Sequence, residues 1–498
     1  EAADGLAAGD AGAPRTTDVP RATDVPRATD VAGTTDAPGT TDAPRTTDAP
    51  GPPHGPMAVS GGLPPGPAPS GTGPLFALTP ELRRRAARPS EPDWLNDLRA
   101  EGLAAWEGLP LPHRAQHLWR YTDPALFVPA DVPWAASGEA ANKPVRAGAP
   151  APRSAAVAPG ASGREGRFTL SDEARAAGVL LLDLAEAVET HGALVRRVLG
   201  RIVGPAFGKF EALNAAAHAG GVFLYVPRGA QLEAPVQVVR RAAEAPFSAT
   251  RLAALIEEGA SLTFVEELSG GSGTGTPQLF DVAELEIGPG ARVRHVTIQL
   301  LGPRVQAHLT QRARLGRDAT YQPVLASFGG AFVKTDTGAF LSGPGSESEM
   351  TGFLAAVGRQ KFDHHTLHHH LGKHTRSNLD YKTVLRGRSR SVYTGLIRIE
   401  PEADHSEAYQ ENRNLLLSGG CRADSIPELE IMTEEVRCTH GATVGPLDRE
   451  HLFYLMSRAV PKDEAVRMVV EGHFESALVR LPEALQERLR GILRERMA

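Results

Sequence analysis

Four segments of one design recur along the middle of this chain: GAQLEAPVQV from Gly229, GASLTFVEEL from Gly259, GARVRHVTIQ from Gly290 and DATYQPVLAS from Asp318. Their starts lie 30, 31 and 28 residues apart. Each opens on a turn residue and runs on into apolar–polar alternation, the signature of a strand with one buried face. A fixed period near 30 residues built from strand units points to a solenoid. No helical period separates the units, which disfavours a βαβ architecture. The expected core is mainly β, a β-helix or a stack of two-sheet coils over about 167–446. Each coil covers its neighbour's apolar edge, so both ends of the stack need caps.

Helical periodicity returns on either side. Ser90, Glu91, Pro92 and Asp93 read as a capping box with proline in the first turn. Trp94, Leu95, Leu98, Ala105, Trp106 and Leu109 follow at helical spacing, and Pro110 and Pro112 end the run. A basic–aromatic segment, Trp119-Arg120-Tyr121-Thr122, comes next. Together these give an N-terminal helical region over 75–134, and the Ala/Pro/Gly-rich stretch 135–166 reads as a linker. At the other end, Leu452, Leu455, Met456 and Ala459 share one helix face. Val466, Val469, Val470, Phe474, Ala477 and Leu478 make a second helix, and Leu481, Leu485, Leu489, Ile492 and Leu493 a third. This domain, 447–498, either caps the solenoid or docks a partner.

Residues 1–74 carry a six-residue repeat with Asp18, Asp24, Asp30, Asp36, Asp42 and Asp48, and have too little to bury to overcome chain entropy. Disorder is expected there, and translation beginning at Met57 is one reading of the repeat.

Bulk properties exclude several functions. The net charge of -6 does not favour nucleic acid. Two cysteines cannot build a disulfide framework, which fits a reducing cytoplasm. No apolar run is long enough to span a bilayer; Gly178 to Val188 is too short and carries charges. No basic stretch followed by an apolar one stands at the start. There is no phosphate-binding loop of the GxxxxGK[ST] type, no GxSxG elbow, and no carboxylate pair distinctive enough to serve as general acid and base.

Two constellations remain. Cys438 and His440 sit two apart, so in a strand they share a face. A thiolate beside an imidazole can ligate zinc, iron or an iron–sulfur cluster. The alternative is a buried small hydrophobe next to a hydrogen-bonded His. An acidic run, Glu428, Glu430, Glu434 and Glu435, stands just upstream. The second constellation is Asp363, His364, His365, His368, His369, His370 and His374. Alternation puts His364, His368 and His370 on one face, and His365 and His369 on the other with Asp363. A metal site or a polar strand packed against another chain would both fit. Cys421, in SGGCRAD, is expected at a turn.

SVYTGLIRIEPEA (391–403), YQENRNLLLS (409–418), PELEI (427–431), VRCTHGATVGPLD (436–448) and LFYLMSR (452–458) resemble the SufB/SufD family of iron–sulfur cluster assembly scaffolds. EPDWLNDLRAEGLAAWEGLPLP (91–112) and WRYTD (119–123) look like that family's N-terminal helical region. The Cys-x-His-Gly-Ala-Thr form is similar to the SufD branch rather than the SufB branch. The resemblance implies a right-handed parallel β-helix between helical regions, in a cytoplasmic complex of one SufB, one SufD and two SufC ATPases. It implies that β-helix strands pair with SufB and that the C-terminal helices bind SufC. A transient iron–sulfur cluster would form at the SufB interface, with His440 a ligand and Cys438 a weaker one or a sulfur acceptor. Arg437 would favour that thiolate if both were partly exposed. No nucleotide is expected on this chain, and nothing assigns a flavin. Such a chain is a non-catalytic scaffold subunit with neither nucleic acid nor membrane as partner.

Two departures from the family pattern are Glu434-Glu435 in place of Asp-Asp, and Ala459 where Gly follows Ser-Arg. The second requires a helix to end without its usual left-handed glycine. Other readings are a SufB-type homodimer that holds the cluster itself and a carbohydrate-active β-helix enzyme.

Overall fold

The computed structural model describes residue 88 and residues 90–128, 168–243, 245–271 and 275–497. The expectations for 1–74, for the linker 135–166 and for a start at Met57 fall outside these residues.

The strands, in chain order, are β1 (Phe168–Thr169), β2 (Leu180–Asp183), β3 (Gly221–Val226), β4 (Val236–Ala242), β5 (Phe247–Ile256), β6 (Ser261–Gly270), β7 (Gln278–Ile287), β8 (Arg292–Leu301), β9 (Gln306–Leu315), β10 (Thr320–Ser327), β11 (Phe332–Leu341), β12 (Glu347–Ala356), β13 (Lys361–His370), β14 (Arg376–Leu385), β15 (Arg390–Ile399), β16 (Glu407–Leu416), β17 (Arg422–Ile431) and β18 (Arg437–Pro446). They form two nine-stranded sheets. One runs β1-β4-β6-β8-β10-β12-β14-β16-β18, the other β17-β15-β13-β11-β9-β7-β5-β3-β2. Apart from the antiparallel β1–β4 and β2–β3 pairs, every pairing is parallel. Each coil therefore gives one strand to each sheet, and the expected parallel β-solenoid is the fold.

One residue per coil sets the period. Gly229, Gly259, Gly290, Asp318, Gly345, His374 and His405 all have positive φ, from 55° to 71°. The amide of each donates to a carbonyl in the next turn, as from Gly259 to Pro289 and from His405 to Glu435. Glycine takes this backbone freely, while Asp and His accept some strain.

The two sheets face each other across a filled lumen. Its early coils are apolar, around Val222, Leu252, Leu285, Val293 and Leu315. The outer faces are covered separately. On the β17-to-β2 sheet, Trp119 and Phe127 of the N-terminal arm pack with Phe210, Phe247 and Phe280. On the other sheet, C-terminal helices bury Val470, Phe474, Leu485 and Leu489 against Val296, Val324, Phe353 and Val384. Burial of this kind is worth roughly 1.5–3 kcal/mol per large side chain.

The helices are α1 (Asp93–Gly108), α2 (Asp172–Ala176), α3 (Leu184–Val195), α4 (Lys209–Ala217), α5 (Arg449–Ser457), α6 (Lys462–Leu478) and α7 (Glu483–Met497). Four of these described helices precede Gly221, three of them between β1 and β3, so regular coils begin only at Gly221. The capping box at Ser90 does not form: α1 starts after Pro92 with no side-chain cap. Glu91 instead holds the buried Arg99 at 2.5 Å. Ala459 takes the left-handed backbone itself, at φ 64°, so α5 ends as a glycine-terminated helix would.

Candidate functional site at the open end of the solenoid

The two strands of the last coil, β17 and β18, are each the outermost of their sheet. In β16, Ala408, Gln410, Asn412 and Asn414 are buried, while Glu407, Tyr409 and Arg413 between them are exposed. The buried set faces the lumen. β18 pairs with β16 in register, Cys438 on Ala408, His440 on Gln410, Ala442 on Asn412 and Val444 on Asn414. These four residues therefore extend the lumen-facing row by one step. Among the described residues no further coil covers them, and His440 and Val444 are exposed.

Cys438 and His440 thus share a face, as their spacing requires, but differ in surroundings. Cys438 is half-buried against the cluster of Ile397, Ile399, Ala403 and Ala408. Burial pushes its thiol up to about 11. Arg437 does not offset this: it points outward, 3.7 Å from Glu407, because neighbours along a strand face opposite ways. Burial is the cause of the shift, and no opposing pull from Arg437 accompanies it.

The floor beneath His440 is polar. Gln410 Nε2 donates to the Gly395 carbonyl at 3.2 Å, and its Oε1 is buried without a partner. Ser425 Oγ and Asn414 Nδ2 each donate to Asn412 Oδ1 at 2.6 Å. A Cβ on Gly395 would stand 2.5 Å from both Gln410 and the Tyr393 hydroxyl, so glycine there leaves room for the floor.

The acidic run is largely spent on the body of the protein. Glu428 accepts from His117 at 2.5 Å, Glu430 lies 3.4 Å from Arg398, and Glu435 lies 3.2 Å from His405.

The histidine-rich strand is β13, and its two faces are as alternation assigns them. His364, His368 and His370 face the lumen, where they bond Tyr381, Ser348 and Ser377 of the opposite sheet. His365 bonds Asp336, and His369 bonds Glu400, on the outer face. Asp363, also outward, accepts from Thr122 of the arm and from Lys334. All of these histidines are buried within this one chain, so the strand is not packed against another chain. Among the described residues, no three His, Cys, Asp or Glu side chains converge on a common metal position.

One imidazole and one thiol stand on an uncovered strand edge, with no third His, Cys, Asp or Glu converging on them among the described residues. The chain matches two family models: residues 166–238 fit "SufBD protein N-terminal region" and 239–473 fit "SUF system FeS cluster assembly, SufBD core domain". The chain belongs to the SufBD family. SufBD proteins are similar to it over most of its length. The iron–sulfur cluster assembly protein SufD of Bacillus subtilis is 27% identical over 84% of this chain and 97% of its own. SufB of the same organism is 28% identical over 63% and 68%. A SufBD family protein of Staphylococcus aureus is 25% identical over 79% and 87%. The SufBD core match takes in all coils from β5 to β18 together with α5. Cluster assembly in the SUF system is accordingly the function of this family. No described helix is long and apolar enough to cross a membrane.

Sequence reasoning did not find Gln410, Asn412 or His117. The first two lie in YQENRNLLLS at alternate positions, a polar inward row where a solenoid strand would ordinarily be apolar.

Proposed function

We propose that this chain is the SufD-type subunit of a SUF scaffold, joining SufB through its last coil and supporting de novo cluster formation at the shared interface. The uncovered row Cys438, His440, Ala442 and Val444 carries this reading. Strands with an unpaired edge are templates for another chain's strands, and a partner strand would close the lumen over His440. The SufD-type assignment is supported by a match that spans nearly the whole of the Bacillus SufD and about two thirds of the Bacillus SufB.

His440 is the ligand to the nascent cluster, which is cargo here rather than a resident group. Its ring is exposed and aligned over a polar floor, free to accept a metal once the partner arrives. Cys438 is the weaker ligand, because its buried thiol must first lose a proton. The subunit is non-catalytic and works in the cytoplasm with the SufC ATPase. SufC docks on α5, which buries none of its residues and exposes Phe453, Tyr454 and Met456.

Co-expression with the cognate SufB and SufC, followed by size exclusion, tests the reading. A stable three-protein complex is expected, and its absence would refute it. A self-associated chain that assembles clusters without SufB would instead identify a SufB-type homodimer.

A further inference from the structure

The outer face of the β17-to-β2 sheet holds a pair of histidines away from the open-end row of Cys438 and His440. His117 lies in the short 3-10 helix His117–Trp119 of the N-terminal arm, and His365 on β13. Their rings are 6.3 Å apart, edge to face. His117 Nε2 donates to Glu428 Oε1 at 2.5 Å, and His365 Nδ1 donates to Asp336 Oδ1 at 2.7 Å. The opposite nitrogens, His117 Nδ1 and His365 Nε2, are both buried and both without a hydrogen-bond partner.

A carboxylate only accepts, so each ring proton stands on the nitrogen facing the carboxylate. When such a ring is neutral, its opposite nitrogen carries a lone pair that a metal ion can take. Burial lowers the basicity of His117, against the pull of Glu428, and keeps its ring neutral at neutral pH. In the neutral rings both opposite nitrogens are thus buried acceptors without a donor, on rings 6.3 Å apart, and an unpaired buried acceptor is unfavourable. Holding one imidazole nitrogen with a carboxylate so that the other can bind is also the arrangement found around metal-ligating histidines. The surrounding charges are mixed: Glu428, Glu430 and Asp336 favour a cation, while Arg120 and Arg312 oppose it.

We infer that His117 Nδ1 and His365 Nε2 form a two-nitrogen site for a late first-row divalent cation such as Zn²⁺, with water completing its shell. Two protein nitrogens are fewer than a closed structural zinc site supplies, so binding is exchangeable. The ion would join the arm to β13 beside Glu428 on the edge strand β17.

The test uses the full chain carrying Cys438→Ser and His440→Ala, which removes the open-end ligands. Zn²⁺ is titrated in competition with a chromophoric chelator, and melting is followed with and without the ion. One Zn²⁺ per chain is expected, with a raised melting temperature. Adding His117→Gln, a half-buried arm position, should weaken binding at least ~10-fold and abolish the melting shift. Binding unaffected by His117→Gln, or no binding at millimolar Zn²⁺, would overturn the site and leave water between the rings.

Discussion

His440 stands directly in register with Gln410, one strand beyond the last buried position of the solenoid's lumen. Gln410 is enclosed and His440 is not, although the two occupy the same place in successive coils. The difference is a missing coil, and the account of function rests on what fills it.

If SufB supplies that cover, the lumen-facing edge of β18 must stay apolar enough to pair. Val444 is 47% exposed in the isolated chain. Val444→Lys should change folding stability by no more than about 0.5 kcal/mol, as an exposed substitution does. It should abolish co-elution with SufB. Retention of the complex would mean that the partner meets another surface.

Packing inside the coils is tight where aromatic rings cross the lumen. A Cβ on Gly352 would overlap the Tyr381 ring, which is fully buried. Gly352→Ala should destabilise the fold by about 1–3 kcal/mol, the usual effect of overpacking. Denaturant unfolding measures this, and an unchanged midpoint would show that Tyr381 can move aside.

Acid should unfold this protein early. Burial lowers His308 and His370 to about 3, and His364 and His368 to about 4. A histidine whose folded pKa is depressed is fully stabilising above its unfolded value near 6.5. As pH falls from there toward the folded values, the unfolded chain takes up protons that the folded chain does not. With four such groups the loss approaches roughly 5 kcal/mol per pH unit at most. Glu266, pushed up by burial but held to about 2 by His295 and Arg240, adds to the loss below about 4.5. Urea unfolding at pH 7.5, 6.5 and 5.5 should show steeply falling stability; a flat profile would mean that these buried histidines titrate normally.

Ala459 carries strain that glycine would remove. A left-handed backbone is worth roughly 1 kcal/mol less to alanine than to glycine. Ala459→Gly should therefore slow amide exchange at the α5 terminus about five-fold, by that same ~1 kcal/mol. Faster exchange would contradict the assignment of strain to this residue.

The solenoid was legible because a turn residue recurs once per coil. The signal is clear through Gly229, Gly259 and Gly290 and fades where His374 and His405 take over the left-handed turn, since nothing in a histidine announces positive φ. Alternation assigned the two faces of β13 correctly. It could not tell that both are buried, because the cover on one side comes from Leu118 and Thr122, more than 200 residues earlier. The same-face relation of Cys438 and His440 was readable from their spacing. Their unequal exposure was not, because it depends on where the stack of coils ends. The capping box at Ser90 misled because the helix begins two residues later, with Pro92 at its N-cap and no side-chain cap.

The most direct test is anaerobic reconstitution of the complex with SufB and SufC, followed by visible absorption, for the native chain and for His440→Ala. The account predicts that both chains form the complex with equal stability, since His440 is exposed. Sulfide-to-iron charge-transfer bands should then develop with the native chain and fail with the variant. Bands that grow at the native rate in the His440→Ala complex would contradict the role assigned to the open coil.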